Sequence, residues 1–406
     1  MLGLSALTWF VIIVAGYALL LLILPREYMW IPFVAVVVAM TVLAYHIVPD
    51  ETDDLYRYYG MLDIMREQGK AGLDYIIERN WYDWQTFVTM RYYFYFLSFF
   101  PNNRYLAAMT VFIVYALMFL VMYKAAQRYQ VSKGYVLLGT LFFLSTYWFY
   151  DTASGIRNGL AFAVVIACAY YHLVEKRNII LCLFGYVAAC LLHSSPILPV
   201  ALVLLTLLTM KFNSKFINVV MILGLAVGGA FIQFIAEKSD NEFILSIAEK
   251  SENNTEAVRL NTSTGFLVNI VTLVIVLLVI WYFSVYFVRD KETDPIYRFY
   301  RYCSTTAFFM IGCLFSSLIF LRFARWILPI MGAVLFMVGM QKQADFVKKQ
   351  PPNFIYTGEK KMVLRVRTQG VMLLVYFAYI CVHFWYACVG TVSYTHLRAH
   401  ETLANL

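Results

Sequence analysis

The first candidate for chemistry is an arginine inside an almost wholly apolar stretch. Arg157 lies in YWFYDTASGIRNGLAFAVVIACAYY, residues 147–171, with Gly155 and Gly159 on either side. Glycines let a backbone or a ligand approach closely, and a helix that starts here presents free N–H groups that favour an anion. A guanidinium can bind phosphate oxygens through two parallel hydrogen bonds. The pattern therefore indicates a diphosphate contact; its alternative is an interfacial arginine whose head group reaches lipid or water.

Two more arginines lie close together in the last third of the chain. Arg322 and Arg325 belong to LRFAR, residues 321–325, and their spacing puts them on one face if the segment is helical. Short connections outside the membrane usually carry few basic residues. We interpret the pair as a second phosphate contact, with simple anchoring at the membrane surface as the alternative.

A histidine marks a predicted helix break. His193 is followed by Ser194, Ser195 and Pro196, and a proline disfavours helical geometry in the residue before it. The imidazole could act as a general acid or base near neutral pH or as a phosphate ligand. A purely structural histidine is the alternative.

Acidic and aromatic residues open a long polar segment, residues 49–104. Asp53 and Asp54 are the candidates for a carboxylate that removes a proton from an attacking hydroxyl. The alternative is that these acids are only solvated charges of the loop. Flat rings beside polar groups suit stacking on sugars, although they equally suit an aromatic belt at the membrane–water interface. The candidates for sugar binding are Tyr58, Trp81 and Trp84.

The elements that carry these residues are predicted to be transmembrane helices. The chain is 62% hydrophobic and only 14% charged, whereas globular domains contain roughly 45–50% apolar and about 25% charged residues. Apolar runs long enough to span the bilayer recur throughout. We predict one integral membrane domain over residues 1–391, all-α and polytopic, without a cleaved signal peptide. Its twelve predicted spans are 4–24, 28–48, 105–123, 134–150, 156–174, 178–193, 196–210, 216–236, 265–288, 302–321, 326–341 and 370–390, with 87–100 predicted as an interfacial or re-entrant helix.

The distribution of basic residues predicts the orientation of these spans. Most Lys and Arg fall in connections on one side: 124–133, 175–178, 211–215, 289–301 and the loop 342–369. Because basic connections stay in the cytoplasm, the N-terminus is predicted outside. The outer side then holds the loops 49–104 and 237–264 and the hairpin tips 151–157, 193–196 and 321–325. The net charge of +8 is thus a sign of topology, and no nucleic-acid partner is predicted.

Four short motifs resemble one known family. They are Asp53…Tyr58 at the start of the outer loop, GIRNGLAFA, the pair EKRN…LLHSSPIL, and LRFARWILP. Together they resemble the EpsG family of bacterial exopolysaccharide proteins, which are Wzy-type polysaccharide polymerases. The resemblance covers roughly residues 30 to 345. Asn158 stands where the family usually has glutamine, after Arg157.

The resemblance implies a glycosyltransferase with a GT-C-like architecture in the bacterial cytoplasmic membrane, its active site facing outside. Such an enzyme would transfer a glycan from undecaprenyl diphosphate onto the sugar of another lipid-linked repeat unit. The transfer would be inverting and independent of metal ions, and no cofactor is implied. The implied roles are general base for Asp53, Asp54 or His193, and diphosphate binding for Arg157, Arg322 and Arg325. Partners would be lipid-linked glycans, membrane lipids, and flippase and chain-length regulator proteins.

Other classes of membrane protein remain as alternatives. A flippase or another transporter of lipid-linked oligosaccharides would favour charged or broken helices near the membrane midplane, whereas the ionisable residues here collect on one side. An acyltransferase would favour a carboxylate close to His193. A non-catalytic subunit of an export assembly would use the outer charges only as an interaction surface.

The end of the chain is predicted to have a different origin. VSYTHLRAHET, residues 392–402, resembles the in-frame translation of a transposon adapter used in sequencing libraries. We therefore expect residues 392–406 to be non-native, and their ionisable groups are left out of the chemistry.

Overall fold

A computed structural model describes residues 6–81, 84–213, 215–223, 264–287, 294–315, 317–348 and 366–387. The expected non-native tail lies outside these residues, as do most of 216–236, nearly all of 237–264 and the middle of 342–369. Within the described residues every regular element is helical, which confirms the all-α class. The helices are α1 (Ala6–Ile23), α2 (Trp30–Tyr45), α3 (Asp54–Gln68), α4 (Lys70–Glu78), α5 (Val88–Ser98), α6 (Arg104–Arg128), α7 (Lys133–Thr146), α8 (Phe149–Ser154), α9 (Ile156–Leu173), α10 (Ile179–Cys190), α11 (Ile197–Leu208), α12 (Thr264–Phe287), α13 (Ile296–Gly312), α14 (Ser317–Trp326), α15 (Leu328–Lys348) and α16 (Val366–Ala387).

Several of these helices are long and apolar enough to cross a membrane. Five described helical segments meet that condition: Arg26–Tyr45 (α2 with the turn before it), α6, α9, α12 and α16. A sixth span results if α14 and α15 form one bent span. At 1.5 Å per residue, α6 is about 37 Å long and exceeds the roughly 30 Å of hydrocarbon, whereas α11 is only about 18 Å long. Four apolar helices are shorter than the spanning length: Leu7–Ile23 of α1, α7, α10 and α11. The chain is a polytopic membrane protein, and the count of twelve spans stays a prediction, as does the GT-C-like architecture.

Two helices form the centre of the packing. Helix α15 packs against α7, α12 and α6, and helix α6 packs against α2 and α9. From Leu328 to Met340 every residue of α15 is buried. Only the C-terminal part of this helix, after Met340, is polar. Small residues allow these close contacts, because a Cβ at Gly332 would lie 2.6 Å from the Phe142 ring. The buried centre therefore belongs to helices from both halves of the chain.

Charged contacts gather at the two ends of the helix bundle. Where α6 and α9 end, Arg128 Nη1 lies 3.0 Å from Glu175 Oε2. At the same end Asp294 accepts hydrogen bonds from the Tyr129 hydroxyl and from Lys342 Nζ. The residues predicted to do chemistry lie instead near the starts of α6 and α9. Such a separation of charge is typical of a bundle whose middle lies in hydrocarbon.

One predicted span is wrong. Residues 302–321 were expected to form a single helix, but α13 ends at Gly312 and a 3₁₀ turn, Cys313–Phe315, precedes α14. LRFAR was expected to be a hairpin tip, yet it is helical and belongs to α14. The chain instead bends by 42° between α14 and α15, because Pro329 has no N–H to bond the carbonyl of Arg325.

Candidate active site

The arginine of the GIRNG stretch lies at a helix start, as predicted. Helix α9 begins at Ile156, and Arg157 is its second residue. The preceding residues form the short helix α8 where a hairpin tip was expected, so that prediction is wrong. Gly155 joins the two helices, and its N–H donates a 2.7 Å hydrogen bond to the carbonyl of Asp151. A Cβ at this glycine would lie 2.6 Å from that carbonyl oxygen, so the turn requires glycine.

One of the two glycines beside Arg157 packs tightly against a tryptophan of the same chain. A Cβ at Gly155 would lie 3.3 Å from the Trp326 ring, which is closer than an ordinary contact, whereas a Cβ at Gly159 would lie 3.4 Å from it, in ordinary van der Waals contact. Trp326 also meets the Tyr147 ring edge to face at 5.3 Å. Gly155 therefore lets Trp326 of α14 pack closely, and the approach of a ligand to these glycines stays a prediction.

The second arginine of α14 has a carboxylate partner. Arg325 Nη1 lies 3.1 Å from Asp151 Oδ2, and the guanidinium also lies 5.5 Å from the centre of the Trp148 ring. This ion pair joins α14 to α8. Much of the charge of Arg325 is thus already balanced within the protein.

Arg322, one helical turn earlier, faces the break between α10 and α11. Its Nη1 donates a 3.1 Å hydrogen bond to the Ser195 hydroxyl, and its side chain is exposed. The positive charges of Arg157 and Arg322 act on each other and on His193. The structure therefore brings together three residues from distant parts of the chain, all of them predicted from the sequence.

His193 lies in the turn between α10 and α11, where the predicted break is confirmed. It is 8% exposed, and its ring stacks on Phe87 with 5.8 Å between the centroids. Its Nδ1 accepts a 3.0 Å hydrogen bond from the Ser195 N–H. Burial, together with the charges of Arg157 and Arg322, lowers the pKa of His193 to about 3. The imidazole is therefore neutral at pH 7, with its proton on Nε2.

The acidic candidates lie at the start of α3. Asp53 Oδ2 accepts hydrogen bonds from the Asp50 N–H, at 2.9 Å, and from the Tyr150 hydroxyl. Within the described part of the chain, no hydrogen bond reaches Asp53 Oδ1. Asp54 is exposed, and its Oδ1 lies 3.4 Å from Arg57 Nη1. Of the two, Asp53 is the carboxylate that the fold holds in place. Tyr150, which donates to Asp53, directly precedes Asp151, the partner of Arg325.

A comparison with protein-family models identifies the family of the chain. The model of the EpsG family matches residues 30–350. The chain belongs to the EpsG family. Membership indicates an exopolysaccharide polymerase-type function and an enzyme of the polysaccharide-polymerising, glycosyltransferase-like kind. No curated protein and no solved structure matches the chain.

The structure of this EpsG-family chain changes the set of predicted sugar-binding residues. Tyr58 is 2% exposed and Trp84 is completely buried. Both rings pack edge to face against Phe94 of α5. Their rings therefore cannot stack on a ligand, and these two predictions are wrong because the apolar faces of α3 and α5 need them for packing. Trp81 is exposed and lines a cavity.

Several residues of the EpsG-family site were not predicted from the sequence. Tyr150 holds Asp53, Asp151 pairs with Arg325, Ser195 bonds Arg322 and His193, and Phe87 stacks on His193. A signal existed for Asp151, which belongs to the predicted tip 151–157, and for Ser195, which belongs to the HSSPIL motif. Tyr150 and Phe87 had none. No group of three or more His, Cys, Asp and Glu side chains that could hold a metal ion occurs among the described residues, and independence of metal ions stays a prediction.

Proposed function

We propose that the protein polymerises oligosaccharide repeat units carried on undecaprenyl diphosphate, at the outer face of the bacterial cytoplasmic membrane. One observation carries the proposal: Arg157 at the start of α9, His193 in the turn after α10 and Arg322 within α14 come together. A lipid diphosphate is a long apolar tail with two anionic phosphates at the membrane surface. Cationic donors at helix ends beside apolar helices fit that chemistry.

The arginines stabilise the departing diphosphate. In the reaction, a hydroxyl of the acceptor sugar forms a bond to the anomeric carbon of the donor glycan, and the bond from that carbon to the diphosphate oxygen breaks. Negative charge then grows on the leaving diphosphate. Guanidinium groups already fixed in place stabilise this charge without reorganising. Arg157 and Arg322 have this role, and Arg325 positions α14 through Asp151.

His193 acts as a hydrogen-bond donor to the phosphate. A general base needs a free lone pair on the imidazole, and the lone pair of Nδ1 already accepts the Ser195 N–H. The remaining nitrogen, Nε2, carries the proton and donates it in a hydrogen bond. A pKa of about 3 also makes the ring a weak base.

Asp53 is the general base. Its Oδ2 is held by the Asp50 N–H and the Tyr150 hydroxyl, which leaves Oδ1 to take the proton of the acceptor hydroxyl. Because the hydroxyl attacks as the diphosphate leaves from the opposite side, the configuration at the anomeric carbon inverts. No step of this scheme requires a metal ion.

The test compares arginine variants in a strain that lacks the native gene. Arg157→Ala and Arg322→Ala should abolish long-chain glycan while protein levels and lipid-linked single repeat units persist. Arg157→Lys should restore little long-chain glycan, since lysine keeps the positive charge but lacks the planar guanidinium that binds two phosphate oxygens. Arg104→Gln, at the same end of the bundle, is the control for losing one positive charge.

The accumulating lipid intermediate separates the polymerase from its alternatives. Unpolymerised units on the outer leaflet support the proposal, and units trapped on the inner leaflet indicate a flippase. Full-length polymer from both alanine variants would refute the diphosphate contact. Loss of activity with EDTA, in purified protein supplied with lipid-linked units, would refute metal independence.

A further inference from the structure

A cavity on the outer layer of helices lies apart from the arginines. Its volume is about 560 Å³, and Arg57, Gly60, Met61, Ile64 and Trp81 line it. Such a volume is in the range of small-molecule pockets, roughly 300–1,000 Å³. Trp81 is 38% exposed, and the Tyr75 ring supports it edge to face at 5.9 Å. The cavity therefore offers a fixed aromatic surface to a ligand.

A glycine in the middle of α3 is not explained by packing against the described residues. Gly60 costs the helix up to about 1 kcal/mol relative to alanine. Among the residues that the structure describes, a Cβ at this position would meet no atom within 4 Å, so none of their side chains requires the glycine. Gly60 lines the cavity, and the space above its backbone is open. Close approach of a ligand accounts for it.

The remaining lining residues suit a saccharide. The indole of Trp81, with Met61 and Ile64, can cover the apolar C–H face of a pyranose ring. The Arg57 guanidinium contacts Asp54 at 3.4 Å and the Thr52 carbonyl at 3.3 Å. Its side chain is 53% exposed. A guanidinium has five N–H donors, and at this exposed position they suit sugar hydroxyls or a sugar carboxylate.

The position of the cavity points to the acceptor glycan. Asp53 immediately precedes α3, and at 1.5 Å per residue Arg57 lies about 6 Å and Met61 about 12 Å further along the helix axis. A saccharide held in the cavity can extend along α3 to Asp53, which activates the acceptor hydroxyl in the proposed function. The donor diphosphate is bound elsewhere, at Arg157, His193 and Arg322.

We infer that the cavity between Arg57, Gly60 and Trp81 binds a non-reacting sugar of the acceptor repeat unit. The identification of this sugar as part of the acceptor rests on the proposed function. The cavity holds the acceptor repeat unit by one of its sugars, so that one hydroxyl stays beside Asp53. It binds carbohydrate and not a lipid headgroup.

The first experiment measures binding without polymerisation. The probe is a set of oligosaccharides made by mild acid hydrolysis of the strain's own exopolysaccharide, titrated into the purified full-length protein in detergent. Trp81→Ala and Gly60→Leu should each weaken binding about tenfold, the effect of losing one central aromatic contact. Leucine is a good helix former, so Gly60→Leu fills the cavity while keeping α3. Tyr92→Ala, an aromatic residue of α5 with 65% exposure, should bind as the wild type does.

Three outcomes would overturn the inference. They are wild-type binding by both cavity variants, an equal loss in Tyr92→Ala, or a loss of membrane insertion by Trp81→Ala with saccharide binding unchanged. The last result would assign Trp81 to an interfacial aromatic belt.

A second experiment keeps this inference separate from the proposed function. In polymerisation assays, Trp81→Ala should raise the KM for acceptor units about tenfold with kcat nearly unchanged. Arg157→Ala should instead abolish turnover. Polymer formation by Arg157→Ala would refute the diphosphate contact but leave the saccharide titration as a test of the cavity. A wild-type KM in Trp81→Ala with an inactive Arg157→Ala would refute the cavity alone.

Discussion

Replacing Tyr150 by phenylalanine tests whether the fold holds Asp53 for catalysis. The change removes one hydroxyl that donates to Asp53 Oδ2 and keeps the ring. A hydrogen bond to a charged group contributes about 1.5–3 kcal/mol. The Asp50 N–H still bonds the same oxygen at 2.9 Å, so we expect a loss at the lower end of this energy range. A loss of about 1.5 kcal/mol in the transition state corresponds to a roughly tenfold slower reaction.

The assay measures polymer formation by purified protein with lipid-linked repeat units. Tyr150→Phe should lower kcat with little change in KM, because the tyrosine positions Asp53 and does not bind substrate. Tyr147→Phe is the matched control: its hydroxyl is buried and has no hydrogen-bond partner among the described residues. Removing that hydroxyl should leave kcat unchanged.

A double variant decides whether Tyr150 acts through Asp53. If it does, Asp53→Asn combined with Tyr150→Phe should be no slower than Asp53→Asn alone. Wild-type kcat in Tyr150→Phe would refute the positioning role. Losses that multiply in the double variant would mean that Tyr150 acts independently of the carboxylate.

Three further predictions concern stability, followed by thermal unfolding in detergent. Gly155→Ala should destabilise by about 1–3 kcal/mol, because its Cβ would lie 2.6 Å from the Asp151 carbonyl oxygen. Gly134→Ala in α7 meets no atom of the described residues within 4 Å and should be neutral or stabilising by up to about 1 kcal/mol; equal melting temperatures of the two variants would contradict this. Arg301 is 2% exposed and donates to the carbonyls of Thr209 and Phe212 at 3.1 and 3.2 Å. Arg301→Met should cost about 2–4 kcal/mol by leaving both carbonyls unsatisfied, and Arg298→Met should cost less. Burial alone would raise the pKa of Asp294, but hydrogen bonds from Lys342, the Ile296 N–H and Tyr129 hold it below its ordinary value. Its stabilisation is therefore present above about pH 4 and lost as the pH falls below that, and Asp294→Asn should flatten this part of the pH profile.

The helical fold could be predicted because composition and apolar run length alone require it. Breaks were harder to predict. The break after His193 was predicted because Pro196 follows three residues later. The bend before α15 depends on Pro329, but the arginines of LRFAR made that segment resemble a polar loop. Phe323 and Ala324 are each 1% exposed, and their packing keeps the segment helical.

The candidate site was predictable only in part. Arg157, His193 and Arg322 were found because a charge beside an apolar run is costly and therefore visible in one sequence. Tyr150 was not, since a tyrosine hydroxyl leaves no mark on hydropathy. Its role comes from a contact with Asp53, 97 positions away. The sugar-binding predictions for Tyr58 and Trp84 were wrong because a sequence does not distinguish an aromatic ring that packs in the core from one that binds a ligand.

The contact between Trp326 and Gly155 has a consequence for how this region can change in evolution. Gly155 leaves volume that the Trp326 ring fills, so these two positions share one space. A larger residue at 155 requires a smaller one at 326, and the tryptophan can be lost only if another side chain fills the gap. Related sequences should therefore show positions 155 and 326 substituting together, even where the arginines beside them stay the same.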